Sequence, residues 1–348
     1  MLPGMSKRQL SRRQQWRIDK IQQERLARAA RRDAATDHLP ASELASERAG
    51  QVIAHFGQQV LVADADGLTA RCHMRANLAQ LVVGDRLLFA PPLSDGAGVV
   101  TALQPRDTVL QRPDQYGKLK PVAANVDQIV VVWAPEPLPS SQLLDRYLVA
   151  AELAGAAPLL LLNKADLLSG DNADHCQALC RLYQQVGYPL LTVSASDGAG
   201  LAALRAALAG HTSVLVGQSG VGKSSLVNAL LPDAALAVAT LSDRSGLGQH
   251  TTVTARLFAL ADGGQLIDSP GVREFGLWHI DEASLLSGYR ELAELAGHCR
   301  FRNCSHRHEP DCALRAAAEA GDIAQERLDN FFRIADTLDE DGRERYHT

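Results

Sequence analysis

Between Gly50 and about Leu110, apolar and polar residues alternate in short runs: Gly50–Phe56, Gln59–Val62, Leu68–His73, Asp85–Phe89 and Gly98–Leu103. A period of two marks half-buried strands. Turn residues separate the runs at Gly57, Asp64–Gly67, Gly84, Pro91–Pro92 and Asp95–Gly96. Five strands at this spacing predict a small closed β-barrel of the OB type. Its only aromatic rings are Phe56 and Phe89, too few for a base-stacking platform, so RNA contact and a plain spacer role both stay open.

After a polar link from Gln104 to Val122 the pattern changes. Asp127–Trp133, Pro158–Leu162, Leu190–Val193 and Val214–Val216 are continuously apolar, and helical spacing fills Ser141–Ala154, Asp171–Val186 and Leu201–Leu208 between them. Such alternation predicts a parallel sheet covered on both faces. Cys176 and Cys180 lie four apart on one helical face with no further ligand beside them, which points to packing. Further strands follow Thr251 and span Gly264–Asp268, and helices are expected over Ala313–Ala320 and Ile323–Leu338. The expected organisation is a multidomain α/β chain. An arm and linker (1–49) precede the OB-like barrel (50–110), an α/β domain (111–277) and a C-terminal helical module (278–348).

The chemistry begins at Gly217, Gln218, Ser219, Gly220, Val221, Gly222, Lys223, Ser224 and Ser225, which fit G-x-x-x-x-G-K-[ST]. An apolar strand precedes this stretch and the helical run Leu226–Leu231 follows it, the context a phosphate loop requires. Glycines let backbone N–H groups wrap a phosphate chain, and the helix N-terminus adds its positive dipole. Lys223 would reach the β- and γ-phosphates, and the Ser224 hydroxyl would ligate Mg²⁺.

The strand 158–162 ends in Asn163, Lys164, Ala165 and Asp166, at the carboxyl edge where doubly wound sheets bind ligands. A fixed Asp166 carboxylate accepts from guanine N1–H and the 2-amino group. Adenine would leave that charge unmatched. Ser194 and Ala195 end the next strand, either as a helix cap or as a backbone donor to guanine O6. Thr251 or Thr252 could close on Mg²⁺ and the γ-phosphate. Asp268 would hold Mg²⁺ through water, and Gly271 would offer an N–H to the γ-phosphate. The residue after Gly271 is Val272, which cannot orient water, so intrinsic hydrolysis should be slow. His250 is the candidate for that task, against an exposed loop histidine with no catalytic role.

Order matters here. Asn163 precedes Gly217 by 54 residues, whereas ordinary GTPases place the phosphate loop first. The sheet must therefore be a circular permutation, with the segment after Asp268–Gly271 running straight into the C-terminal region. That region carries Cys299, Cys304, His306 and Cys312, a Cys₃His set suited to one structural zinc ion. His298 and His308 lie nearby, and spacing selects His306.

Charge changes the picture at one end. Residues 1–32 hold ten Lys/Arg against Asp19 and Glu24, a charge of +8, which leaves −13 in the remainder of a chain with net charge −5. A basic arm too poor in apolar residues to fold alone suits a polyanion such as RNA, or is simply solvated. No apolar run approaches the ~18 residues of a membrane span, and no secretory apolar core is present. Six cysteines in a chain this long argue against a disulfide framework, so a cytoplasmic setting is expected, with an Arg-rich transit leader as the alternative.

In this order, the arm, barrel, permuted motifs and Cys₃His set resemble the ribosome small-subunit-dependent GTPase A family (RsgA, also called YjeQ), over nearly the whole chain. Gly248–Thr252 looks like that family's first switch. The resemblance implies a GTPase stimulated by the small ribosomal subunit, late in that subunit's maturation, with rRNA contacts from the barrel and the zinc module. GTP and GDP are the expected ligands, and a monomer is expected. A nucleotide-gated RNA-binding switch with incidental hydrolysis is the alternative.

Overall fold

The computed structural model describes residues 44–344, apart from 58, 75–77, 95, 115, 233–254 and 270–274. The basic arm falls outside the described residues. Strands β1 (Arg48–Phe56), β2 (Gln59–Ala63), β3 (Thr69–Met74), β4 (Arg86–Ala90) and β5 (Gly98–Leu103) pair in the order β1-β2-β3-β5-β4, and a β1–β4 ladder closes the ring. Alternate side chains point inward, so Val52, Val62, Ala70, Cys72, Phe89 and Val100 form the barrel core. Burial pushes the Cys72 thiol up to about 12, which leaves it unreactive. Gly50 sits where β1 passes from β4 to β2. A Cβ there would come within 2.6 Å of Val62 and 2.7 Å of Phe89, so only glycine lets the strand cross.

The stretch expected to be a polar link instead forms a hairpin of β6 (Val109–Pro113) and β7 (Leu119–Ala124). Its turn is built by Asp114, whose carboxylate accepts from the N–H groups of Tyr116 and Lys118. Pro113 and Pro121 interrupt the apolar alternation, and that is why the sequence pattern hides these strands.

Strands β8 (Gln128–Trp133), β9 (Ala157–Leu162), β10 (Leu190–Thr192), β11 (Thr212–Val216), β12 (Arg256–Ala259) and β13 (Gln265–Asp268) form a sheet in the order β10-β9-β8-β11-β13-β12. All ladders are parallel except β12 with β13. Every residue of β8 is buried. Ile129, Val131 and Trp133 pack with helices α1 (Ser141–Ala154) and α2 (Gly170–Gln185). Val130 and Val132 pack with α3 (Leu201–Leu208) and α4 (Lys223–Leu230). Burial on both faces accounts for the unbroken apolar runs. One bridge, Ala54 to Arg256, joins the barrel's β1 to β12, so barrel and sheet are continuous.

The C-terminal module contains α5 (Glu282–Ser287), α6 (Arg290–Ala296), α7 (Ala313–Ala320) and α8 (Gln325–Glu344). Helices α5 and α6 were not expected; six and seven residues are too short to display a helical period. Helix α8 lies against α1 and is fastened there by Arg327, which is 0% exposed. Its guanidinium donates to Asp145 on α1 and, through Nε and a second nitrogen, to Glu291 on α6. Tyr289 faces it at 4.5 Å, with Tyr183 and Tyr188 at 5.7 and 5.9 Å. Asp145, also 0% exposed, accepts further bonds from Tyr183 Oη and Asn330 Nδ2. Among the described residues no helix is long and apolar enough to cross a membrane.

Removing the cation alone would strand the fully buried Asp145 carboxylate and leave the part-buried Glu291 without its partner. Arg327→Met should therefore destabilise the full chain by about 3–5 kcal/mol in urea unfolding. A midpoint unchanged from the parent would show that the network contributes nothing.

Candidate functional site

The carboxyl ends of β9, β11 and β13 bring the separated motifs to one edge of the sheet. From Val216 the chain turns through Gly217, at φ 141°, where a Cβ would lie 2.1 Å from the Val132 carbonyl oxygen. It re-enters helix at Lys223 after Gly222, at φ 92°. A Cβ on Gly222 would lie 2.4 Å from Asn163 Nδ2, so the glycine is required by the side chain that crosses it.

That side chain is the joint between the two motifs. Asn163 is 1% exposed, and its Nδ2 donates to the Val221 carbonyl at 2.9 Å. Its Oδ1 accepts from the Ala195 N–H at 3.2 Å. Ser194, 0% exposed, donates its hydroxyl to Asp166 Oδ1 at 2.7 Å, and the Ser196 hydroxyl lies 2.9 Å from it. Hydrogen bonding from Ser194 holds the Asp166 carboxyl below its ordinary range, so it is a fixed anion at neutral pH. Lys164 has φ 57° and donates Nζ to the Glu136 carbonyl at 3.0 Å. Ser196 was not singled out in the sequence; the repeated serine of Ser-Ala-Ser was the available signal.

On the phosphate side, Lys223 Nζ donates to the carbonyls of Gly217 and Gln218 at 2.6 and 2.7 Å. A pocket beside it is lined by Lys223, Ser224, Asp268 and Ser269, which puts the Asp268 end of β13 against the start of α4. Gln218, Ser219, Gly220 and Ser225 lie in the same turn and first helical residues. His250, Thr251, Thr252 and Gly271, together with Val272, lie outside the described residues.

A second cluster stands in the C-terminal module. The ligand atoms of Cys299, Cys304, His306 and Cys312 all lie within 4.8 Å of one another and could hold a metal ion. His306 is 6% exposed, sits at φ 61°, and aims Nδ1 at the sulfurs of Cys299 and Cys312, 3.4 and 3.5 Å away. His298 and His308 are not in this group. Glu309 braces the loop by accepting from the N–H and hydroxyl of Ser305, bonds that pull its carboxyl down to about 2.

Comparison with known proteins agrees in extent and in architecture. The family model described as RsgA GTPase matches residues 103–278. The small ribosomal subunit biogenesis GTPase RsgA of Alcanivorax borkumensis is 62% identical over 350 residues, covering 99% of each chain. A protein of the same name from Pseudomonas aeruginosa is 55% identical over 337 residues, covering 97% of this chain and 99% of its own. The crystal structure of YjeQ from Thermotoga maritima superposes with a TM-score of 0.71 at 32% identity, over 84% of this chain and 99% of that one. YloQ, described as a circularly permuted GTPase, gives 0.69 at 28% identity over 88% of this chain and 98% of its own.

The fixed charge at position 166 makes a prediction about titration. A lowered carboxyl pKa means the anion persists as pH falls, so its contribution is present above the ordinary carboxylate range and disappears only below it. Guanine-nucleotide affinity, followed by equilibrium titration, should thus be flat with respect to this group from neutral pH down to about pH 5. A fall centred near neutrality would show that another group controls the site.

Proposed function

The chain belongs to the RsgA GTPase family, and from that premise we propose that it acts in biogenesis of the small ribosomal subunit, as its relatives' name states. It hydrolyses GTP to GDP and phosphate, and the subunit it serves stimulates that turnover. The observation that carries this reading is the Asn163 Nδ2 bond to the Val221 carbonyl, since it makes one ligand site from two motifs in reversed order.

Each residue then has a task. The Asp166 carboxylate accepts from guanine N1–H and the 2-amino group, with Ser194 orienting it. The Ala195 region faces guanine O6, and Asn163 keeps the base side in register with the phosphate side. Backbone N–H groups of Gly217–Ser225 cradle the phosphates, and Lys223 would exchange its loop carbonyls for the β- and γ-oxygens. Ser224 and Asp268 would hold Mg²⁺, which neutralises charge on those oxygens when bound. Thr251, Thr252 and Gly271 complete the γ-phosphate contacts. Val272 supplies no hydrogen bond to water, which fits slow hydrolysis until a partner intervenes, with His250 as the in-chain group to orient the water.

The Cys₃His cluster would hold zinc. Three thiolates and an imidazole close a tetrahedron, leave no open position and give the ion a structural task. The basic arm, the barrel and the zinc module supply the rRNA contacts, and the protein works as a cytoplasmic monomer.

Three measurements test these assignments. Purified small subunits should raise GTP turnover by about tenfold or more, with ATP unable to compete; absent stimulation, or equal competition by ATP, would reject the reading. Asp166→Asn should weaken GTP binding by about 100-fold and improve xanthosine triphosphate binding, because the amide now donates where xanthine accepts. Metal analysis should find one zinc per chain, and Cys304→Ser should lower both zinc content and the melting midpoint; a full zinc complement in the variant would remove Cys304 from the ligand set.

A further inference from the structure

Between β8 and α1 the chain crosses the top of the sheet through Ala134–Ser140, which contains Pro135, Pro137 and Pro139. Three prolines remove three N–H donors, so this connector cannot hold itself in a ladder. Its carbonyls are instead taken up one after another by side chains from a single stretch elsewhere in the chain. Lys164 Nζ donates to Glu136 O at 3.0 Å, His175 Nε2 lies 2.9 Å from Pro139 O, and Tyr183 Oη donates at 2.9 Å to the carbonyl of Ser141, the α1 residue that follows the connector. All three donors follow β9, running from the guanine-side tetrapeptide into α2.

The connector's other side meets the phosphate loop. Pro137 Cδ lies 3.6 Å from where a Cβ on Gly220 would stand, and Gln218 and Val221 share a cavity wall with Pro137 and Pro139. The connector is thus a strap that touches both halves of the nucleotide site. It forms one wall of that cavity, and its carbonyls at Glu136 and Pro139 are the ones held by side chains from the β9–α2 stretch. Lys164 also depends on it. A non-glycine residue at φ 57° occupies a sparsely populated backbone well, and its side chain is steadied by the Glu136 carbonyl.

We propose that His175 is a positioning residue for the guanine-nucleotide site: by holding the Pro139 carbonyl it fixes the strap, and through the strap it fixes Lys164 and the Gly220 turn. This rests on the guanine-nucleotide reading above and extends it to a residue that touches no nucleotide. The bond requires a donor at the Nε2 position. A glutamine amide nitrogen reaches that place, and an asparagine amide is too short.

The experiment compares His175→Asn with His175→Gln in the full chain, by release of a fluorescent GDP analogue and by steady-state turnover. His175→Asn should release the analogue about fivefold faster and raise KM for GTP by a similar factor with kcat unchanged, as expected for one lost part-buried hydrogen bond. His175→Gln should restore both values. In a Lys164→Met background the asparagine change should have a smaller effect, because only the Gly220 turn then remains for the strap to position. Equal release from the asparagine and glutamine variants, or an undiminished asparagine effect without Lys164, would overturn the proposal. Failure of the parent chain to bind the analogue would instead overturn the guanine reading itself, so the two failures are distinguishable.

Discussion

The side-chain amide of Asn163 is buried and uses both ends on backbone, donating to Val221 and accepting from the Ala195 N–H. An unmatched amide in that position would cost on the order of 1–3 kcal/mol, so phosphate loop, tetrapeptide and Ser194–Ser196 turn are held in one arrangement. The demand extends to Gly222, because the amide crosses where any Cβ would stand. Reversed motif order is harmless under this constraint. The sheet restores the geometry that chain order alone would not give, as parallel ladders return β9 and β11 to flank β8.

A second constraint acts at the far end of the chain. Permutation leads the segment after Asp268 directly into the C-terminal module, an order that suggests a tether free to be pulled. The structure fastens the module back onto the sheet's own helix layer. Arg327 is enclosed by Asp145, Glu291 and three tyrosine rings, and Asn330 adds a bond to Asp145 and another to the Ser141 hydroxyl. Burying that guanidinium is tolerable only because both its charge and its donors are matched. Ser141 directly follows the strap, so the anchoring of the Cys₃His module and the lining of the phosphate loop meet at the start of one helix.

Much of this was legible in the residues. Ser141–Ala154, Leu201–Leu208 and Ala313–Ala320 are helices with the bounds their spacing predicts, because each buries one continuous face. The barrel strands and the sheet strands showed as alternating and unbroken runs for the same reason, burial on one face or on two. The nucleotide and cysteine motifs were visible because their chemistry fixes local spacing. The hairpin at Val109–Ala124 was hidden by its prolines, and α5 and α6 by their brevity. Asp145 and Arg327 are 182 residues apart, and the strap meets its donors from β9–α2 only in three dimensions. Neither pairing leaves a periodic trace in the chain.

The single bridge from Ala54 to Arg256 has a mechanical meaning of its own. Strand β12 is the shared rail between the barrel and the nucleotide sheet, and Arg256 stands four residues beyond Thr252 in the chain. Any shift of β12 and its neighbour β13 would reach the barrel through that bridge and through the bond from Gln265 Nε2 to Gln51 Oε1, whereas the C-terminal module is held on α1. The barrel and the C-terminal module are therefore attached to the same sheet through different elements, one through a strand at its edge and the other through a helix that covers it.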